Sequence, residues 1–128
     1  MNYPESKYPL QNETYEIIGF CMEVHRNLGH GFLEIVYKDA LEIEFKEKNI
    51  LYEREKEYEV EYKGIILPHK FYADFIVFEN VILEVKATKV ITEEHYAQVI
   101  NYLAVSKCTI GLLVNFGEPS LYSKRIIL

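Results

Sequence analysis

Between residues 12 and 28 the apolar positions Ile17, Cys21, Val24 and Leu28 recur every three or four residues. That spacing lays them on one stripe of a helix, and Gly29 follows as a natural stop. A second stripe begins after the Gly29-His30-Gly31 turn. Leu33, Val36, Tyr37, Ala40, Leu41 and Phe45 keep helical spacing, and the pattern ends near Asn49. The period then changes. In "EYEVEYKG", residues 57–64, Tyr58, Val60 and Tyr62 alternate with Glu59, Glu61 and Lys63, which predicts a half-exposed strand. "KFYADFIVFENVILEVKAT", residues 70–88, predicts two further strands. Thr92 is placed to cap a helix with an acidic first turn that runs to about Ser106. "TIGLLVNF", residues 109–116, reads as a buried strand. After the turn signals Gly117 and Pro119, "LYSKRIIL" reads as a last strand or edge element. The helix between the strands of residues 70–88 and residues 109–116 is expected to be a crossover, making that later strand parallel to its neighbour.

The stretch 70–88 carries Asp74, Glu84 and Lys86 inside otherwise apolar strands, and the hairpin register decides whether they meet. A two-residue loop at Glu79 and Asn80 sets Asp74 opposite Val85 and leaves neither face clean. A three-residue loop, Phe78 to Asn80, sets Val77 opposite Val81 and Asp74 opposite Glu84, with asparagine expected in the left-handed conformation at the third position. One face then becomes Phe71, Ala73, Phe75, Val77, Val81, Leu83, Val85 and Ala87, which is wholly apolar. The other carries Tyr72, Asp74, Ile76, Ile82, Glu84 and Lys86. The hydrophobic pattern thus selects the register that brings two carboxylates to about 4.5–5.5 Å between Cβ atoms. Such a pair repels unless a cation sits between its members, and oxygen donors at this spacing suit Mg²⁺ or Mn²⁺ better than zinc.

Length and composition narrow the setting. A chain of 128 residues suits one domain, 1–128, with a single modest core. The 49% hydrophobic and 27% charged composition is that of a globular chain and excludes a disordered or fibrous one. The first residues show no apolar run after a basic patch, and no segment reaches the length of a membrane span. The expectation is a cytoplasmic protein with no membrane partner. Cys21 and Cys108 are too few and too far apart for a disulfide framework and read as reduced core thiols. Cys21 and His25 share a helix face at four-residue spacing, but His30, His69 and His95 form no second ligand pair for zinc.

The net charge of −6 excludes indiscriminate nucleic-acid binding, which needs an excess of Lys and Arg. The charge is unevenly placed: residues 1–61 hold 7 basic and 14 acidic side chains, residues 62–128 hold 7 and 6. Acidity therefore belongs to the half that lacks Asp74, Glu84 and Lys86.

Asp74 followed by Glu84-Val85-Lys86 at the end of the next strand resembles the signature of the PD-(D/E)XK nuclease superfamily. "GFLEIVY", Gly31 to Tyr37, is similar to the motif of the GxxExxY family of small proteins assigned to that superfamily. "QVINY", Gln98 to Tyr102, resembles the QxxxY motif that follows the lysine in RecB-like and lambda-exonuclease-like members. His30 stands where many relatives have proline, and Pro68-His69 replaces a glycine-rich approach to Asp74. The resemblance implies an α/β restriction-endonuclease-like fold, with a central mixed sheet (an antiparallel meander plus a parallel strand) flanked by helices.

The resemblance also implies roles. Asp74, Glu84, the Val85 carbonyl and Glu34 are the expected ligands of Mg²⁺ or Mn²⁺, with Lys86, Asp74 and Glu84 catalytic. Gln98, Tyr102, Tyr37 and His95 are expected to support the carboxylates or touch substrate. The implied activity is a metal-dependent nuclease acting on nucleic acid, DNA before RNA, with a homodimer as one admissible assembly. The alternative is a catalytically inactive nuclease fold serving as a binding or assembly module, which the acidic N-terminal half favours. Each residue also has a plain structural reading: Glu34 as a helix-dipole glutamate, Tyr37 and Tyr102 as packing aromatics, Gln98 and His95 as solvated, Lys86 as a counter-ion.

Overall fold

A computed structural model describes residues 10–128, in which helices α1 (Gln11–Leu28) and α2 (Glu34–Glu47) precede a sheet. The strands and the last helix follow as β1 (Tyr52–Tyr58), β2 (Glu61–Tyr62), β3 (Ile65–Ile66), β4 (Phe71–Val77), β5 (Val81–Lys86), α3 (Glu93–Ser106), β6 (Ile110–Asn115) and β7 (Tyr122–Ile127). The main sheet has the order β1-β4-β5-β6-β7. Its β1-β4-β5 portion is an antiparallel meander, β5 and β6 are parallel, and β7 closes the far edge antiparallel to β6. Parallel pairing of strands consecutive in the sheet requires a crossover, which α3 supplies.

Helices cover both faces. Ile17, Cys21 and Val24 of α1 and Tyr37, Leu41 and Phe45 of α2 pack with Phe75, Val77, Leu83, Val85, Leu112 and Val114. On the opposite face Val99 and Leu103 of α3 pack with Ile76, Ile82, Leu113 and Ile126. Strands sandwiched this way lose alternation and become apolar throughout, and β6 is buried at every position. Both cysteines are free, but the core reading holds for Cys21 alone: it is fully buried, which pushes its pKa up, whereas Cys108 is half-buried at the margin of the α3-side core. His25 turns its Nε2 to the Glu118 carbonyl at 2.9 Å, so Cys21 and His25 do not form a metal pair.

Three expectations need correction. The strand foreseen at 57–64 begins earlier, at Tyr52, and ends at Tyr58. Residues 61–66 instead form a separate two-stranded hairpin turning through Lys63 and Gly64, both at positive φ. The alternation in "EYEVEYKG" is real, but it spans a break. In the β4–β5 turn the left-handed residues are Phe78 and Glu79, not Asn80. The Asn80 N–H donates to the Val77 carbonyl at 3.3 Å, closing a turn whose two central residues take positive φ, which matches the twist of the flanking strands.

The third correction concerns the apolar face. Val77 opposes Val81 and Phe75 opposes Leu83, as the pattern requires. Phe75 and Val77 pack on the α1–α2 side, yet Ala73 belongs to the α3 side, where Phe71 stacks on Tyr102 at 4.3 Å between ring centroids. β4 therefore rotates at Asp74. β1 rotates with it: Tyr52 packs on the α1–α2 side and Tyr58 on the α3 side. Between them lies Glu55, held at φ 54 although it is neither glycine nor at a turn. Such a conformation costs about 1–3 kcal/mol and persists only where its surroundings enforce it.

Candidate functional site

The rotation leaves a gap in the sheet, and the acidic side chains fill it. The β4–β5 ladder runs from Val77/Val81 only to Phe75/Leu83 and does not reach the Asp74/Glu84 step. Main-chain N–H groups freed there need acceptors. Asp74 Oδ2 accepts the Val85 N–H at 2.8 Å, and Glu84 Oε1 accepts the Asp74 N–H at 3.4 Å. Each carboxylate thus replaces a lost ladder bond and is anchored to the strand opposite its own. Both are buried, at 8% and 3% exposure. Burial and the neighbouring Asp74 charge push the Glu84 carboxyl well above the usual carboxylate range.

Lys86 lies one strand position beyond Val85, on the α3 side with Glu84. Its Nζ donates to Gln98 Oε1 at 3.0 Å. The i, i+4 pair Gln98 and Tyr102 therefore divides its work. Gln98 holds the lysine, a partner that the expectation of supporting the carboxylates or touching substrate did not include. Tyr102 stacks on Phe71 and is pushed up to about 12 by burial and by the charges of Glu84 and Asp74, so its phenol stays neutral beside them.

Glu34 is the first residue of α2, where an extended Leu33 precedes the helix. Burial raises its pKa and Asp74 raises it further, while Lys86 and Lys38 pull the other way, so it belongs to the same electrostatic cluster. Tyr37 does not reach the cluster. It is fully buried, stacks on Phe116 at 4.6 Å, donates to the Gly29 carbonyl at 2.7 Å and accepts the Phe32 N–H at 3.2 Å. It pins the loop that delivers Glu34 and has no surface for a substrate. His95 spends one ring nitrogen at the start of α3, where its Nδ1 accepts the Thr92 N–H at 3.0 Å.

Two residues in the cluster were not foreseen. Lys38 is buried, with Nζ 3.0 Å from Asp74 Oδ1, 2.7 Å from Glu55 Oε1 and 3.9 Å from Glu34 Oε1. Burial would lower its pKa, but the bonds to Glu55 and Asp74 outweigh that and raise it, so the ammonium stays charged. The signal was present: Lys38 falls on the stripe of Glu34, Leu41 and Phe45, a position that ordinarily faces the core. Glu55 gave no such signal, being one of several acids alternating with Arg54 and Lys56.

Among the described residues, no three His, Cys, Asp or Glu side chains are arranged to hold a metal ion. What the site offers is an acidic pair with a third carboxylate within electrostatic reach. Hard oxygen donors that repel one another fit a divalent cation that keeps several of its waters. Among the described residues, the cations whose contacts place them here are Lys38 and Lys86. Lys70 lies against Glu57 and Glu59, at 3.5 and 3.9 Å, and Arg125 donates to Thr14 at 2.6 Å near the far edge of the sheet. A groove of about 1230 Å³ lies elsewhere, between α1 and α2, and shares no residue with the cluster.

A mixed sheet covered by helices on both faces, with an acidic pair and a lysine at the step where its central hairpin opens, defines an α/β nuclease-like domain of the restriction-endonuclease type. The chain belongs to the PD-(D/E)XK nuclease superfamily, whose model matches residues 11–126. That match reaches the superfamily and not the GxxExxY family within it. No curated protein matches the chain. Among solved structures it is similar to the one titled "Crystal structure of SSO0001", at 24% identity and a TM-score of 0.57 over 72% of this chain. The match spans 48% of that longer chain and bears on the fold alone. No helix among the described residues is long and apolar enough to cross a membrane.

Proposed function

We propose that the chain is a metal-dependent nuclease that hydrolyses phosphodiester bonds, with DNA its first substrate and RNA its second. The observation that carries this reading is the buried pair Asp74 and Glu84, each anchored to the opposite strand, with Lys86 one residue past Val85 and held by Gln98. Asp74, Glu84 and the Val85 carbonyl would hold Mg²⁺ or Mn²⁺, with Glu34 contributing through water. The ion, when bound, supplies polarisation of a phosphoryl oxygen and a lowered pKa for water. The protein's own groups do the rest. Lys86 stabilises charge developing on the phosphate or positions the attacking water. Gln98 holds that ammonium by a hydrogen bond at 3.0 Å, and Tyr102, stacked on Phe71, lies within electrostatic reach of the pair.

A second reading, an inactive nuclease fold used for binding or assembly, is favoured by Lys38, which already supplies Asp74 with a cation. Nuclease assays of the purified chain with Mg²⁺ and Mn²⁺ on single- and double-stranded DNA and RNA separate the two. Metal-dependent cleavage abolished by Asp74→Ala and Lys86→Ala is the expected result. No cleavage of any form, or equal cleavage by the variants, counts against it.

A further inference from the structure

We infer that Lys38 is an internal cation that holds Asp74 while the divalent ion is absent and transfers wholly to Glu55 when the ion binds, so that the Lys38–Glu55 pair sets metal affinity. This rests on the metal-binding reading of Asp74 and Glu84. The first ground is that both oxygens of Asp74 are already engaged, Oδ1 by Lys38 Nζ at 3.0 Å and Oδ2 by the Val85 N–H at 2.8 Å. Each oxygen keeps a further lone pair for an ion, but a divalent ion on Asp74 would lie close to the Lys38 ammonium and repel it, whereas the amide N–H carries only a partial charge. The Val85 N–H is fixed in β5, which pairs with β6 along its whole length, whereas a lysine ammonium swings on a flexible four-carbon stem. Lys38 is the group that yields.

The second ground is where its charge can go. A buried ammonium left without a partner is strongly disfavoured. Glu55 already lies 2.7 Å from Nζ, closer than Asp74, and its side chain is 47% exposed, so it can follow the lysine outward. Its backbone supports the same role independently. Glu55 stands across from Asp74, between the pairs Arg54/Phe75 and Lys56/Ala73, and it alone in β1 is left-handed, at φ 54. That disfavoured conformation accompanies a carboxylate turned onto Lys38.

The test is calorimetric titration of the whole chain with Mn²⁺ alone, without nucleic acid. Lys38→Gln should bind the ion about tenfold more tightly, because the competitor is gone, and Glu55→Gln about fivefold more weakly, because Lys38 loses its alternative partner. General electrostatics would give both signs, so the double variant decides. If Glu55 acts through Lys38, Glu55→Gln has no effect in the Lys38→Gln background; if it acts only by its charge, the fivefold loss persists and the inference falls. Glu53→Gln, which removes an exposed acid of the same strand, serves where Lys38→Gln does not fold: the inference needs Glu53→Gln to match wild type while Glu55→Gln weakens. Equal affinity in all variants overturns the transfer and leaves the metal site standing. No Mn²⁺ binding by wild type or any variant overturns the metal site itself, and the transfer with it.

Discussion

Asp74 Oδ2 accepts the main-chain N–H of Val85 at 2.8 Å, at a step of the hairpin where no ladder pair forms. The contact fixes one carboxylate to the strand that carries the other. It means that the acidic pair is built into the sheet, and that altering Asp74 perturbs both the site and the hairpin.

Asp74→Asn should abolish the stabilisation that Mn²⁺ confers on the wild type. For an ion present at a hundred times its dissociation constant, that stabilisation is about 2.7 kcal/mol. The metal-free variant should itself be less stable by about 1.5–3 kcal/mol, since Lys38 loses a charged acceptor and keeps Glu55. Thermal unfolding with and without Mn²⁺ checks both. An unchanged metal response in the variant would remove Asp74 from the proposed ligand set.

Lys86→Met should lower turnover by roughly a hundredfold or more while Mn²⁺ still binds. Arginine should rescue poorly, its broad planar group replacing a compact ammonium. Gln98→Ala should give a smaller loss, about tenfold, because the lysine remains but is no longer held. Single-turnover rates beside titration calorimetry separate chemistry from binding, and retained turnover in Lys86→Met with metal bound contradicts the role.

The raised pKa of Glu84 gives a pH dependence of definite sign in the metal-free protein. Between the ordinary carboxylate pKa and the higher folded value, the native state holds a proton that the unfolded chain has lost. Stability from this group therefore falls as pH rises through that window and levels off above it. Glu84→Gln should flatten the fall. Denaturant unfolding across acid to neutral pH in chelator tests it, and an identical profile in the variant would show that Glu84 is not the group responsible.

Gly117→Ala should destabilise the fold by about 1–3 kcal/mol and reduce turnover as well. A Cβ at residue 117 would lie 2.2 Å from the Thr88 carbonyl oxygen. The fully buried Asn115 side chain ties the same segments, accepting the Thr88 N–H and donating to its carbonyl, while the Phe116 N–H donates to the Lys86 carbonyl at 2.8 Å. Pushing these segments apart disturbs the end of β5 that carries Lys86. Wild-type stability in the variant would show the loop to be more yielding than its packing implies.

Much of this was legible along the chain because periodicity is local. The stripes of α1 and α2, the hairpin register pairing Val77 with Val81, and the buried strand β6 all follow from which residues must leave water together, and the helix after Thr92 from its cap and acidic first turn. The same register brought Asp74 and Glu84 to one level, and the motif at residues 98–102 marked the helix that meets Lys86. The sequence misled where a pattern crosses a break: alternation at 57–64 continues through the end of β1 into a separate hairpin. It was silent on the rotation at Asp74 and Glu55, because backbone handedness there is settled by partners distant in sequence. Only the packing of α2 against β1 and β4 decided that Lys38 lies between Asp74 and Glu55, since a lysine's partner in the interior is whichever carboxylate the fold delivers to it.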